Sequence, residues 1–284
     1  MSVNKLMRMT TPSRTSQAVA LTRAGLDRPH SAEGDPDAQR LLCQDMRFSP
    51  PDWLLPSIAA RTRYFDDQVV AAMAGGVRQV VVCGAGYDDR ALRFRTSGIR
   101  FFELDHPATQ RDKARLLQSA GDAAGLTLVQ TDFRSDDVAA ILDLAGQEPT
   151  RPTLFICEGL LVYLDRDTCH RLLAGLARRA ARGSVLAVSI ATHADGLDSA
   201  DVATAANRRR RTGDTEPWRT ILPAGEHLAL IERAGWTITG TQWSPVSAEG
   251  VTDGRRSMLV SAVRAEPPAH SIPASAAYGA DGQA

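Results

Sequence analysis

Short apolar runs alternate with amphipathic segments through the middle of the chain, and this alternation predicts the fold. Five runs have the length and composition of buried strands; they lie at 79–83, 100–104, 126–130, 153–157 and 184–190. Between them, apolar residues recur near helical spacing, which predicts helices at 88–95, 107–120, 136–144 and 166–181. Strands and helices that alternate in this way form a parallel sheet with helices on both faces.

The pattern changes after the fifth strand. Two more helices are predicted at 200–211 and 223–234, and two closing strands at 236–242 and 257–263. A parallel core that ends in a β-hairpin is the seven-stranded Rossmann-like arrangement of many methyl-transferring enzymes. We therefore predict this α/β fold, with further helices between the fifth strand and the closing strands.

Helices are also predicted before the sheet. They cover 15–24, a segment that begins at Pro36 after the capping residue Asp35, and 56–74. The length of 284 residues suits one large domain. We expect three parts: a partly disordered N-terminal extension at 1–34, the domain at 35–264, and a tail at 265–284 whose Ala, Pro, Ser and Gly content predicts disorder.

Charge and composition exclude several classes of partner. The chain has 33 basic and 33 acidic residues, so no net charge draws it to nucleic acid or to an anionic membrane. It has no run of eighteen apolar residues to span a bilayer, and its first residues lack the apolar block of a signal peptide. The four cysteines show no metal-binding spacing, so we expect a cytoplasmic protein without disulfides or a structural metal. The oligomeric state stays open.

The first predicted strand runs into a glycine-rich turn, Gly84-Ala85-Gly86. Glycine permits a sharp bend and lets the backbone approach a ligand that a Cβ atom would push away. A strand, a glycine turn and a helix form the opening unit of nucleotide-binding α/β sheets. Ordinary strand-to-helix turns also contain glycine, so the turn alone does not decide.

Acidic residues follow the carboxyl ends of the next strands. Asp105 lies about 20 residues beyond the glycine turn, where a dinucleotide-type fold places the acid that binds ribose hydroxyls. Asp132 and Phe133 follow the third strand, and Glu158 follows the fourth. Each acid alone can cap a helix. Because ligands of open α/β sheets bind at this edge, the set predicts a nucleoside site, with Asp132 suited to an adenine amino group and Phe133 to the ring.

Several motifs together resemble one known family. They are VVVCGAGYDDRALRF at 80–94, FFELDHP at 101–107, TDFR at 131–134, LFICEGLLVYLD at 154–165 and ARTRYFD at 60–66. In combination they resemble the leucine carboxyl methyltransferase-like branch of class I S-adenosylmethionine-dependent methyltransferases, which includes O-methyltransferases of polyketide biosynthesis. The resemblance covers roughly 35–264, and the combination is specific whereas each single motif is not.

The resemblance implies S-adenosylmethionine as the cofactor and a role for each matched residue. It implies that Arg61 binds the methionine carboxylate, with Arg63 as the next candidate. It further implies Gly84, Ala85 and Gly86 under the methionine part, Asp105 on the ribose, Asp132 and Phe133 at the adenine, and Glu158 near the amino group and the methyl donor.

The acceptor side is less defined. The resemblance implies that the segment between the fifth strand and the closing strands is a short helical lid over the substrate, but this segment does not match the family residue by residue. We expect a small-molecule acceptor, methylated on a carboxylate or a hydroxyl. A carboxylate, with a pKa of ~4, needs no base, whereas a phenol, near ~10, benefits from one. His193, just past the fifth strand, is the candidate base, and Tyr163 is a candidate for the pocket wall; a loop or core position explains each equally well. The run Arg208–Arg211 either attracts an acidic acceptor or is a solvated helix end.

Two other functions fit parts of the pattern. An NAD(P)-dependent oxidoreductase uses a similar sheet, but the turn reads GAGYDD rather than G-x-G-x-x-G, and no Tyr-x-x-x-Lys set is present. A non-catalytic S-adenosylmethionine-binding protein would keep the fold and the cofactor site. The sequence favours an S-adenosylmethionine-dependent O-methyltransferase of a small secondary metabolite, with these as alternatives.

Overall fold

A computed structural model describes residues 13–47, 49–50, 52, 55–118, 123–209, 216–245 and 255–265, apart from the side chains of 208 and 209. Some predictions lie outside these residues: the disorder at 1–12 and 266–284, most of the loop between the closing strands, and the side chains of the run Arg208–Arg211.

The centre of the fold is one β-sheet. Its strands are β1 (Gln79–Cys83), β2 (Arg100–Asp105), β3 (Leu126–Gln130), β4 (Thr153–Cys157), β5 (Val185–His193), β6 (Leu222–Pro223), β7 (Trp236–Trp243) and β8 (Arg256–Arg264). The order across the sheet is β3–β2–β1–β4–β5–β8–β7, and β6 pairs with the end of β5. The strands β1 to β5 pair in parallel, whereas β8 is antiparallel to both of its neighbours. The predicted parallel core with a closing hairpin is confirmed, and the two-residue β6 is added to it.

Helices precede the sheet and connect its strands. They are α1 (Arg14–Ala24), α2 (Ala38–Cys43), α3 (Leu55–Ala74), α4 (Arg90–Arg93), α5 (Pro107–Leu117), α6 (Val138–Leu144), α7 (Arg166–Arg178), α8 (Ser199–Arg209) and α9 (Ala224–Arg233). A short 3-10 turn, Leu161–Tyr163, follows β4. None of the helices in the described ranges is long and apolar enough to cross a bilayer.

Both faces of the sheet are covered, as the near-continuous apolar strands predicted. On one face, Val80 and Val82 of β1 pack with Phe65 and Val69 of α3. On the other face, the cluster that contains Val81 also contains residues of α7 and α9. Alternate residues of one strand therefore reach opposite layers, and this arrangement leaves the carboxyl edge of the sheet for a ligand.

Several predicted boundaries differ from the observed ones, and for three elements side-chain bonds or strand pairing explain the difference. The helix predicted at 88–95 is only Arg90–Arg93, because the Asp88 carboxylate accepts the Arg90 amide at 2.8 Å and occupies the turn before it. The helix predicted from Pro36 begins at Ala38, because Asp35 accepts the Asp37 amide at 2.8 Å. The fifth strand extends to His193, because its last two residues pair with β6.

Candidate active site

The glycine turn after β1 is bonded directly to the acid that ends β2. The Gly86 amide donates to Oδ2 of Asp105 at 2.7 Å, and the His106 amide donates to Oδ1 at 2.6 Å. Gly84 and Gly86 have φ angles of 69° and 54°, in the left-handed region that glycine adopts at little cost. The Asp105 carboxylate is thus fixed at the carboxyl edge of the sheet, with a lone pair on each oxygen left for a ligand.

Two carboxyl groups lie on the same face of β2, that of Glu103 fully buried and that of Asp105 half-buried. Burial raises the pKa of Asp105, and the amides of Gly86 and His106, together with Lys113, act in the opposite direction. Glu103, two residues earlier, is fully buried and paired with Lys113. The pKa of Glu103 is raised to about 7, mainly by burial, although the charge of Lys113 acts in the opposite direction.

Helix α1 lies against the glycine turn. A Cβ atom at Gly86 would lie 2.6 Å from the Cβ atom of Ser16, so only glycine permits this approach. The Gln17 amide group donates to the Tyr87 hydroxyl at 3.5 Å, and that hydroxyl donates to Asp112 at 2.5 Å. Residues near the start of the chain therefore close one side of the turn.

Glu158, which follows β4, is held by three guanidinium groups. Its Oε1 atom accepts from Nε of Arg61 at 2.8 Å and lies 2.5 Å from Nη2 of Arg23. Its Oε2 atom accepts from Nη1 of Arg90 at 2.9 Å. Burial alone would raise the pKa of Glu158, but Arg23, Arg90 and Arg61 lower the pKa well below its usual range. The carboxylate is therefore ionised and fixes the Arg61 side chain.

These groups belong to a larger arginine–carboxylate cluster. Ion pairs of 2.5–3.3 Å link its members, which are Arg23, Arg28, Arg61, Arg90, Arg93, Asp66, Asp88, Asp89 and Glu158. The Arg61 side chain is 20% exposed, whereas the side chains of the other members are at most 6% exposed. Buried charges require such partners, and Arg61 is the member of the cluster that faces solvent.

Asp132 and Phe133 lie beyond β3, next to the end of β2. The Asp132 carboxylate accepts the Arg134 amide at 3.0 Å, and the Asp132 amide donates to Asp136 at 2.8 Å. Phe133 is partly buried and packs against the core. Their role toward an adenine ring stays a prediction.

His193 is the last residue of β5 rather than a loop residue beyond it, and it is buried. Its Nδ1 atom lies 2.7 Å from the Ala194 carbonyl, and its Nε2 atom lies 2.8 Å from the Ser199 hydroxyl. Because a carbonyl only accepts, Nδ1 carries a proton, and in the neutral ring Nε2 accepts from the Ser199 hydroxyl. To take a proton from an acceptor at Nε2, the Ser199 bond must break or the proton must pass through that hydroxyl.

The remaining predicted residues, Tyr163 and Arg63, differ in how far their side chains are exposed to solvent. Tyr163 is half-buried in the turn after β4, and its place in a pocket wall stays a prediction. Arg63 is exposed, whereas Arg61, two residues earlier on α3, pairs with Glu158. The role of either arginine toward the cofactor carboxylate stays a prediction.

A sequence model of the leucine carboxyl methyltransferase family matches residues 15–177, more than half of the chain. The chain belongs to the leucine carboxyl methyltransferase family. This confirms the resemblance drawn from the motifs, and it extends to α1, which lies before the resembling region.

The names of two mycobacterial relatives of this leucine carboxyl methyltransferase family member include the cofactor S-adenosyl-L-methionine. A protein of Mycolicibacterium smegmatis is 36% identical over 193 residues, a match that covers 64% of this chain and 62% of the relative. A protein of Mycobacterium avium is 35% identical over 228 residues, covering 74% of this chain and 71% of the relative. Both are named, provisionally, as S-adenosyl-L-methionine-dependent methyltransferases. The chain thus spans less than two thirds of the first relative.

A solved structure supports the fold. A protein from Thermobifida fusca, described provisionally as a methyltransferase, superposes with a TM-score of 0.59 at 17% identity and covers 90% of this chain and 96% of that chain. At this identity the likeness concerns the fold alone. Together with the family match, it confirms the class I methyltransferase sheet.

Sequence reasoning missed several members of the arginine–carboxylate cluster that support the matched residues of this family. Asp66 lies on the buried stripe of α3 with Thr62, Phe65 and Val69, and a carboxylate on an apolar stripe signals a buried partner. Arg90, directly after the two acids of the turn, is fully buried. Helical spacing does not reveal their contacts, because these contacts join α1, α3 and the ends of β1 and β4.

Proposed function

We propose that this member of the leucine carboxyl methyltransferase family transfers a methyl group from S-adenosylmethionine to an oxygen of a small secondary metabolite. One observation carries the proposal: two fixed, opposite charges lie on the two sides of the β1 turn. On one side is Asp105, bonded by the Gly86 amide, and on the other is Arg61, held by Glu158. The first offers acceptor atoms to ribose hydroxyls, and the second offers donors to a carboxylate.

The residues fit this cofactor in charge and in hydrogen-bond capacity. Asp105 accepts one backbone amide on each oxygen and keeps a lone pair on each, which matches two ribose hydroxyl donors. Arg61 uses Nε for Glu158, so its two outer nitrogens form the edge that is available to a ligand. A guanidinium edge binds a carboxylate through two parallel charge-assisted hydrogen bonds. The expected family assignments for the cofactor therefore have donors and acceptors of the correct kind.

When bound, S-adenosylmethionine supplies a methyl group that is already activated on a sulfonium. The residues of this chain then bind the cofactor, orient the acceptor oxygen and exclude water. Correct orientation alone supplies roughly 7–11 kcal/mol of barrier lowering in the best cases. A site of this kind works through binding and alignment more than through proton transfer.

The His193 geometry favours a carboxylate as the acceptor. Both ring nitrogens of His193 are engaged, one by the Ala194 carbonyl and one by the Ser199 hydroxyl. A carboxylate, with a pKa of ~4, is ionised at neutral pH and attacks without a base. A phenol, with a pKa of ~10, would need a base to remove its proton. His193 would take that proton through the Ser199 hydroxyl. The motif resemblance to O-methyltransferases of polyketide biosynthesis supports a secondary metabolite of either type.

Non-catalytic binding of the same cofactor is the second candidate function. The same engagement of His193, together with both Glu158 oxygens bonded to arginines, supports it, because neither group then acts on an acceptor. Such a protein would bind the cofactor and would transfer nothing.

Two measurements on the purified full chain separate these functions. The first is calorimetric titration with S-adenosylhomocysteine, and the second is transfer of a labelled methyl group from S-adenosylmethionine to a panel of carboxylic acids and phenols. Transfer to one acceptor class supports the methyltransferase. Binding without transfer across the panel supports the binding protein. Absence of binding at millimolar cofactor contradicts both.

A further inference from the structure

Helix α1 contributes a buried cation to the site although it lies before the sheet in the chain. Arg23 is 5% exposed, and its guanidinium reaches the groups that follow β1 and β4. Nη2 lies 2.5 Å from Oε1 of Glu158, Nη1 lies 3.3 Å from Oδ2 of Asp88, and Nε donates to the Thr62 hydroxyl at 3.3 Å. Every part of the guanidinium thus has a partner.

One carboxylate oxygen joins Arg23 to Arg61. Oε1 of Glu158 accepts from Nε of Arg61 at 2.8 Å and from Arg23. The two oxygens of a carboxylate move together, and Oε2 is held by Arg90 at 2.9 Å, so Arg23 adds a third charge-assisted donor that restrains the rotation of the group. Arg23 and Arg61 are therefore linked through a single shared atom.

The charges of the arginine–carboxylate cluster point to the same dependence. Its five guanidinium groups face four carboxylates, which leaves one positive charge. Arg61 is its most exposed member, so this excess charge is presented to solvent at the Arg61 edge. Loss of Arg23 would remove the excess and leave Glu158 with fewer donors. A carboxylate ligand would then meet a neutral cluster and a less constrained guanidinium.

Contacts at the other end of α1 hold the helix in this place. Ser13 caps α1 by accepting the Ser16 amide at 3.2 Å, and its hydroxyl donates to Glu216 at 3.1 Å. Glu216 belongs to the segment between β5 and the closing strands, which is the lid of the family. Ser16 lies against Gly86. The helix is therefore fixed between the glycine turn and the lid.

We propose that Arg23 is a positioning residue for the cofactor carboxylate: it holds Glu158, and through Glu158 it aims the outer edge of Arg61. This inference rests on the proposed function, because it concerns the same cofactor site. It adds α1 to that site and assigns to Arg23 a role that requires no contact with the cofactor.

The test compares two buried arginines of the N-terminal segment. Arg23→Gln removes a cation that touches Glu158, and Arg28→Gln removes one that pairs with Asp66 and Asp89 instead. The two side chains are matched in burial and charge. In calorimetric titrations with S-adenosylhomocysteine, run where circular dichroism shows both variants folded, we expect Arg23→Gln to raise Kd by roughly tenfold. We expect Arg28→Gln to raise it by less than about threefold.

A double-mutant cycle shows whether Arg23 acts through Arg61. In the Arg61→Gln background, the further change Arg23→Gln should alter Kd by less than about threefold, because the group that it positions is absent. Arg23→Lys keeps the charge and should recover part of the affinity that Arg23→Gln loses. In the transfer assay, KM for the cofactor should rise in Arg23→Gln while KM for the acceptor is unchanged.

Three results would overturn the proposal. In the first, folded Arg23→Gln binds S-adenosylhomocysteine as tightly as the wild type. In the second, Arg28→Gln weakens binding equally, so that any buried cation has the same effect. In the third, the effects of Arg23→Gln and Arg61→Gln are additive. A wild type that binds no S-adenosylhomocysteine would overturn the proposed function as well, which distinguishes that failure from the other three.

Discussion

The Gly86 amide donates a 2.7 Å hydrogen bond to Oδ2 of Asp105, and this bond joins the turn after β1 to the end of β2. The two strands pair in parallel from Gln79 to Cys83, so their carboxyl ends already lie side by side. The bond adds direction: it fixes the carboxylate at the edge where α/β sheets bind nucleosides.

Gly86 is required at its position by the approach of α1, and Gly76 provides a matched control. Both have positive φ angles, 54° and 87°, but a Cβ atom at Gly76 meets nothing within 4 Å, whereas one at Gly86 meets Ser16. We expect Gly76→Ala to cost about 1–2 kcal/mol in the free energy of unfolding from backbone strain alone. Gly86→Ala should cost more and should weaken S-adenosylhomocysteine binding, measured by denaturation and calorimetry. Equal costs with unchanged binding would contradict the contact with α1.

Asp105→Ala should weaken cofactor binding by at least roughly tenfold, because it removes charge-assisted hydrogen bonds to the ribose. Asp67→Ala is the control, since Asp67 is an exposed carboxylate on α3. Calorimetry with S-adenosylhomocysteine measures both. If folded Asp105→Ala binds as the wild type does, the ribose assignment is wrong.

His193→Gln should separate the two acceptor types. For a carboxylate acceptor we expect kcat/KM to change by less than about threefold and to show no new dependence on pH, because the nucleophile is already ionised. For a phenol the loss should be roughly 100-fold or more, since a general base contributes that much. A large loss with a carboxylic acid acceptor would contradict the proposal that such an acceptor needs no base.

His227 couples stability to pH. Its Nε2 atom donates to the Ala191 carbonyl at 2.8 Å, and burial lowers its pKa from the usual 6.5 to about 4. The unfolded state therefore binds more protons between these values, so this contribution to stability is present above pH 6.5 and is lost as the pH falls toward 4. The loss should approach about 1.4 kcal/mol per pH unit.

The contribution of His227 must be measured as the difference in the free energy of unfolding between the wild type and a His227 variant. Burial raises the pKa of Glu103 to about 7, which makes the folded state bind more protons and stabilises it as the pH falls over much of the same range. The free energy of unfolding of the wild type minus that of His227→Gln, from urea denaturation at several pH values, isolates the histidine. A difference that does not change with pH would contradict the buried neutral imidazole.

Much of the fold could be predicted from the sequence, because periodicity reports burial. The runs at 79–83, 126–130 and 153–157 became β1, β3 and β4 with the predicted bounds. Each is short and mostly apolar, and each is bounded by polar, glycine or proline residues, so local pattern and tertiary context agree. The helix predicted after β1 was too long, because Asp88 and Asp89 form side-chain bonds that helical spacing does not reveal.

The candidate site could be predicted only in part. Asp105 and Glu158 were predicted to lie together because topology brings strand ends together. Arg23 was missed, because its contact with Glu158 spans 135 positions between α1 and the end of β4. A buried arginine on a helix of ordinary composition can be recognised from the sequence only when its partner is known.

The central claim is that the ends of β1 to β4 bind S-adenosylmethionine, and a crystal structure with S-adenosylhomocysteine tests it most directly. We predict ribose hydroxyls within hydrogen-bond distance of Asp105 and the ligand carboxylate on the outer edge of Arg61. Density for the nucleoside at another place, or no density after soaking at millimolar ligand, would contradict the account.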